Sequence, residues 1–155
     1  MSVHSASNTS GVAVAASSRP TVWAHAYSIV SAVLGVLLLA QFLFAGLAVF
    51  TIMDESGSGT AAARSLSDAD TFWGLHFFNA LLIALAILVL VGMAFAARKP
   101  RRTTLLTALF VPLYILQAVL AFTPLAPISA VHVLNALVIL ALAGYVVRSN
   151  WAFGR

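Results

Sequence analysis

The chain predicts an all-α membrane protein, a transmembrane up-down-up-down four-helix bundle built from two copies of a two-helix repeat. Three observations lead there. Of 155 residues, 62% are hydrophobic and 8% charged, and the mean hydropathy is +1.04, values of a chain solvated mostly by lipid. Four apolar stretches reach the roughly 20 residues that a helix needs to cross a bilayer core. A His/Asn motif stands in the second of these stretches and again in the fourth.

Residues 1–25 read as a disordered cytoplasmic tail: Met1 to Arg19 is rich in Ser, Ala and Thr, with one arginine and no sustained apolar run. A cleavable signal peptide is not expected, because the apolar stretch from Ala26 is long enough to stay as a span. Residues 26–148 form the membrane domain, with spans over about 26–52, 72–97, 103–122 and 128–147, and 149–155 form a second cytoplasmic tail. The loop Met53 to Thr71 carries Ser56-Gly57-Ser58-Gly59 and several charges, and is expected to be long and flexible. The turn Thr123 to Pro127 is short and holds two prolines. Short connections make sequential helices antiparallel neighbours. Pro112 lies inside the third span and is expected to kink it, which neighbouring helices accommodate in a membrane.

Seven of the eight Lys and Arg residues fall on one side: Arg19, the four in Arg98-Lys99-Pro100-Arg101-Arg102, Arg148 and Arg155. Arg64 shares the opposite loop with all four acids, Asp54, Glu55, Asp68 and Asp70. The positive-inside rule therefore predicts a multi-pass plasma-membrane protein with both termini in the cytoplasm. Trp23 and Trp151 fall at the inner interface and Trp73 at the outer one, as an aromatic belt would place them. The basic residues sit at helix ends, not along one polar face, so nucleic acid is not an expected partner. With no cysteine, thiolate metal sites and disulfides are unavailable.

The duplicated motif is H-x-x-N-A-L-x-I, read as His76 to Ile83 and as His132 to Ile139. The preceding spans share a fainter Q-x-x-[FL]-A, at Gln41 to Ala45 and Gln117 to Ala121. His and Asn are rare in spans, so their coincidence outweighs the matching Ala, Leu and Ile. A two-span repeat preserves orientation, which relates the halves by a pseudo-twofold along the membrane normal. At about 1.5 Å per residue His76 lies roughly 9 Å past Asp70 and His132 roughly 8 Å past Pro127, one shared layer. Asn79 and Asn135 follow one turn deeper on the same faces, turned inward because polar groups facing lipid are costly.

In a square bundle the second and fourth helices are diagonal, about 11 to 14 Å apart. That gap suits a planar haem b with His76 and His132 on its axial positions. Gln41, Gln117, Asn79 and Asn135 would orient the imidazoles or bond the cofactor edge. Phe42, Phe44, Phe77, Phe78 and Phe122 can supply flat surfaces. Propionates would face outward, where Arg64 is the sole cation. Against this stands a purely structural role for His, Asn and Gln as interhelical hydrogen-bond glue, each pair contributing on the order of 1 kcal/mol. A two-His zinc or copper site would have to draw its other ligands from Met53, Asp54 and Glu55 in the loop. His4 lies in the tail and His25 at the inner end of the first span, away from the layer.

At these residues the chain resembles one four-helix half of haem A synthase, most closely from Leu116-Gln117 through His132-Val133-Leu134-Asn135-Ala136-Leu137. It is similar also to small bacterial four-span proteins of uncharacterised function with a Q-x-x-x-A-G and H-x-x-N pattern, here Gln41 to Gly46 and His132 to Asn135. The resemblance covers about Ile29 to Val147 and implies that His76 and His132 are axial haem ligands. The departures are specific. The synthase has eight spans, a carboxylate three residues before a ligand histidine, and an outer-loop cysteine pair. Here there are four spans, that position is Trp73, and cysteine is absent. Hydroxylation of a haem side chain is therefore not expected, and homodimerisation would not restore the carboxylate.

The leading functional expectation is a haem-binding bundle that handles electrons or haem near the outer face, with a quinone, a respiratory complex or a second copy as partner beside the membrane lipids. Catalysis is not called for. The alternative is a non-catalytic subunit or assembly factor of a larger respiratory complex. A transporter is third, and four spans without a buried carboxylate or Lys argue against ion coupling.

Overall fold

The computed structural model describes residues 22–54, 60–123 and 126–153. The regular structure among them is helical, in chain order α1 (Val22–Asp54), α2 (Thr60–Ala96), α3 (Arg101–Ala108), α4 (Phe110–Ala121) and α5 (Ala126–Asn150). Four segments are long and apolar enough to span a membrane: Val22–Met53, Ser67–Ala96, Arg101–Ala121 and Val131–Asn150. The protein is therefore a multi-pass membrane protein with a helical fold.

The elements begin and end differently from the expectation. The first helix starts at Val22, inside the expected tail, of which residues 1–21 lie outside the described residues. The loop expected from Met53 to Thr71 is largely helix, because α2 already begins at Thr60. Ala61, Ala62, Ala63 and Ala69 in this stretch are the strongest helix formers, and Ala69 is buried. At 37 residues, α2 is about 55 Å long, far more than the roughly 30 Å of a hydrocarbon core. Its first turns rise out of the membrane.

The third span is interrupted where Pro112 predicts. Proline lacks the N–H that would bond the carbonyl four residues earlier, that of Ala108, where α3 ends. Leu109 keeps helical dihedrals, φ −63° and ψ −22°, so α3 and α4 continue one span across a local break.

Among the described residues the neighbouring pairs are α1–α2, α2 with α3 and α4, α3 and α4 with α5, and α5–α1, while α2 and α5 make no close backbone approach, nor do α1 and α4. The spans thus form a square with α2 diagonal to α5. Each side of the square is closed by hydrogen bonds. Between α4 and α2, the Tyr114 hydroxyl donates to the Ala80 carbonyl at 2.6 Å. Between α1 and α5, the Ser28 hydroxyl donates to the Asn150 carbonyl at 2.8 Å and accepts from the Ala152 N–H at 3.0 Å, satisfying groups that a helix C-terminus leaves orphaned. The other two sides contain the site described below.

The core is unevenly placed. Tyr27, Leu34, Ile83, Ile87, Leu90, Phe110, Ile139 and Val146 pack together, all between the Asn79/Asn135 level and the end that carries Arg98–Arg102. Beyond the asparagines, the buried hydrophobic residues among those described are Ala48, Ala69 and Leu120. At the basic end the Tyr27 hydroxyl meets Thr107 Oγ1 at 2.6 Å, joining α1 to α3. Tyr27→Phe is expected to cost about 1 kcal/mol. Thr107→Val should cost a similar amount and add little on top of it, since the same bond is lost once; melting of the three variants in detergent checks this.

Candidate functional site

The site is built from two helix hairpins that use the same residues in the same way. In the first, His76 Nδ1 lies 3.1 Å from the Gln41 carbonyl, and Asn79 Nδ2 donates to the Leu37 carbonyl at 2.9 Å and to Gln41 Oε1 at 2.6 Å. In the second, His132 Nδ1 lies 3.1 Å from the Gln117 carbonyl, and Asn135 Nδ2 donates to the Leu113 carbonyl at 2.9 Å and to Gln117 Oε1 at 2.6 Å. The i, i+3 spacing of His and Asn puts both on one helix face. The i, i+4 spacing of Leu37 with Gln41, and of Leu113 with Gln117, puts the two accepting positions opposite them.

Chemistry fixes the tautomer. A carbonyl oxygen only accepts, so Nδ1 of each histidine carries the proton and Nε2 carries the lone pair. The second hairpin agrees independently: Gln117 Oε1 accepts from Asn135, so its amide nitrogen faces His132 Nε2, at 3.1 Å, and donates to it. His76 Nε2 makes no hydrogen bond among the described residues; its ring meets Trp73 edge-on, centroids 5.6 Å apart.

Both asparagines are buried, at 4% and 7% exposure, while both histidines and both glutamines are half-buried. No buried side-chain N or O among the described residues lacks a partner. The hairpins are thus held by Asn and the glutamine backbone; each imidazole is oriented through its Nδ1, and His132 alone also engages its Nε2, with the Gln117 amide.

Other sequence-predicted residues fall differently. Arg64 lies on α2 twelve residues before His76, about 18 Å further along the axis; its side chain is outside the described residues, as is Glu55. Phe77, Phe78 and Phe122 are exposed, at 59%, 59% and 78%, so they face outward and do not flank the layer, whereas Phe42 and Phe44 are half-buried. Residues 77 and 78 follow His76 directly, and on a helix adjacent positions point away from one another's face. His25 packs on Phe153 at the opposite end, centroids 4.8 Å apart. No three His, Asp or Glu residues come together among the described residues. Sequence reasoning missed Tyr114, whose bond to Ala80 ties α4 to α2 beside the layer; a lone Tyr in an apolar span carries no pattern that marks it.

A family model described as "Family of unknown function (DUF6220)" matches residues 41–124. The match runs from Gln41 past Gln117 and takes in His76 and Asn79. No curated protein and no solved structure matches.

Proposed function

The chain belongs to the DUF6220 family, whose function is unknown, and from its own residues we propose that it is a b-type haem protein of the bacterial plasma membrane. The observation that carries this is the pair of Nδ1-to-carbonyl bonds, His76 on Gln41 and His132 on Gln117. A metal-ligating histidine characteristically donates its other ring N–H in this way, which fixes the ring and leaves Nε2 for the metal. The diagonal placement of α2 and α5 supports the same reading. The two hairpins would be copies of one ancestral unit, each of which would supply one histidine to hold the haem.

Haem held between two imidazoles supplies one-electron chemistry. His76 would present Nε2, and His132 would do so on giving up its bond from the Gln117 amide; Asn79 and Asn135 fix the hairpins; Gln41 and Gln117 accept from both His and Asn. Seven of eight cations lie on one side; by the positive-inside rule both termini would be cytoplasmic and the histidine layer would lie toward the outer face, at the end that carries Arg64. A quinone, a respiratory complex or a second copy would exchange electrons or haem there. An absorption spectrum of protein purified from haem-replete cells tests the proposal. A Soret band with a split α band after dithionite is expected; colourless protein that takes up no added haem would sink the idea.

One observation favours a second reading, a non-catalytic subunit or assembly factor: every buried side-chain N and O among the described residues already has a partner within the protein. In that case His76→Leu and His132→Leu change retention of a partner complex in mild detergent and no optical spectrum.

A further inference from the structure

At the basic end, where α2 gives way to α3, a groove of about 410 Å³ is lined by Phe95, Arg98, Lys99, Arg101, Leu105 and Ala108, among others. Its two characters are separated in space. Phe95 and Leu105 are exposed, at 64% and 59%, on helices that span the membrane, so this wall faces acyl chains. Arg98, Lys99 and Arg101 stand where the helices end, at headgroup level. The acids among the described residues, Asp54, Asp68 and Asp70, lie at the far end of the bundle, so no described side-chain carboxylate neutralises the three cations.

The backbone is bent to present this charge. Arg98 has φ 46° and is a non-glycine residue in the left-handed region. The Lys99 N–H bonds the Ala94 carbonyl at 3.0 Å and the Arg98 N–H bonds the Phe95 carbonyl at 2.9 Å. That is the Schellman closure of a helix, whose left-handed position glycine fills most easily. An arginine there carries a strain cost that glycine would avoid. Lys99 turns inward, its Nζ 4.6 Å from the centroid of Tyr27, and burial holds its ammonium below the usual lysine range; a nearby anion would offset that penalty. Arg102 points elsewhere, onto Tyr145 of α5 at 6.0 Å.

We infer that this groove binds the headgroup of an anionic phospholipid from the leaflet on the basic side, with phosphate against Arg98, Lys99 and Arg101 and an acyl chain along Phe95 and Leu105. Basic pockets between helices suit such lipids, and the apolar wall on the membrane surface selects a lipid over a soluble phosphate. The inference is independent of haem.

The test is native mass spectrometry of the full chain in neutral detergent, titrated with phosphatidylglycerol or phosphatidylcholine. Phosphatidylglycerol is expected to remain bound and phosphatidylcholine to be lost. Arg98→Gln with Arg101→Gln should weaken phosphatidylglycerol about 30-fold, and the charge-matched pair Arg102→Gln with Arg148→Gln less than about 3-fold. Arg98→Gly should bind less phosphatidylglycerol, yet melt about 2–4 °C higher in lipid-free detergent as the strain is relieved. Equal weakening by the two double variants, equal retention of the two lipids, or full displacement by millimolar inorganic phosphate would overturn the site.

Discussion

His76→Ala and His132→Ala are each expected to abolish the six-coordinate spectrum of haem-loaded protein, leaving a broadened, shifted Soret band and a single weak α band, or no bound haem at all. Each removes one Nε2 while leaving the asparagine of its hairpin in place, so the helical circular dichroism should be unchanged. Gln117→Leu is expected to act in the opposite direction on ligation. Its amide donates to His132 Nε2 and so would compete with a haem iron for the lone pair. Removing a hydrogen bond of about 1 kcal/mol should tighten haem about 5-fold. The orienting bond survives, since His132 Nδ1 donates to the backbone of residue 117 and not to its side chain. Haem titration of the three variants measures all of this. An unchanged six-coordinate spectrum in either histidine variant would remove that residue as a ligand.

Phe110→Ala is expected to be among the most destabilising single substitutions in the half of the bundle at the basic end. Phe110 is fully buried, packed in the core cluster directly after the break at Leu109. In a membrane the usual transfer contribution is small, because lipid is as apolar as the core. What remains is the cavity: roughly 100 Å³ at about 24 cal/mol per Å³ gives about 2.4 kcal/mol. Thermal or denaturant melting in detergent should show that loss, while Phe122→Ala, whose side chain is 78% exposed, should change little. Comparable losses at the two positions would mean that Phe122 is covered by something beyond this chain.

The layer was legible because its residues are rare in their surroundings. In spans made of Ala, Leu, Val and Ile, a repeated His-x-x-Asn and its preceding Gln stand out without any alignment. Spacing predicted that His76 and Asn79 share a face. It did not predict what they touch: the expectation was that Gln and Asn would reach the partner imidazole or a cofactor edge. Gln117 does reach the His132 ring through its amide, but each Asn bridges the neighbouring helix's Leu carbonyl and Gln amide oxygen, and each His Nδ1 uses the Gln backbone. Backbone acceptors leave no mark in a sequence, because every residue has one. The flanking phenylalanines were misplaced for a related reason. In a membrane an exposed Phe costs nothing, so hydrophobicity does not say whether Phe77 or Phe78 faces lipid or the interior.

What the sequence by itself determined is therefore what composition and rarity can carry: four apolar spans, a break at Pro112, charge segregated to the two ends, and a doubled His/Asn pair at similar depth. Tertiary structure decided the rest. It set which spans are diagonal, extended α2 back to Thr60, concentrated the large core residues at the basic end, and bent Arg98 to the rim of a groove. It also chose the tautomer of both histidines. The reason is physical: in lipid the hydrophobic pattern no longer distinguishes inside from outside, so packing and hydrogen-bond geometry alone determine which face of each helix meets its neighbour.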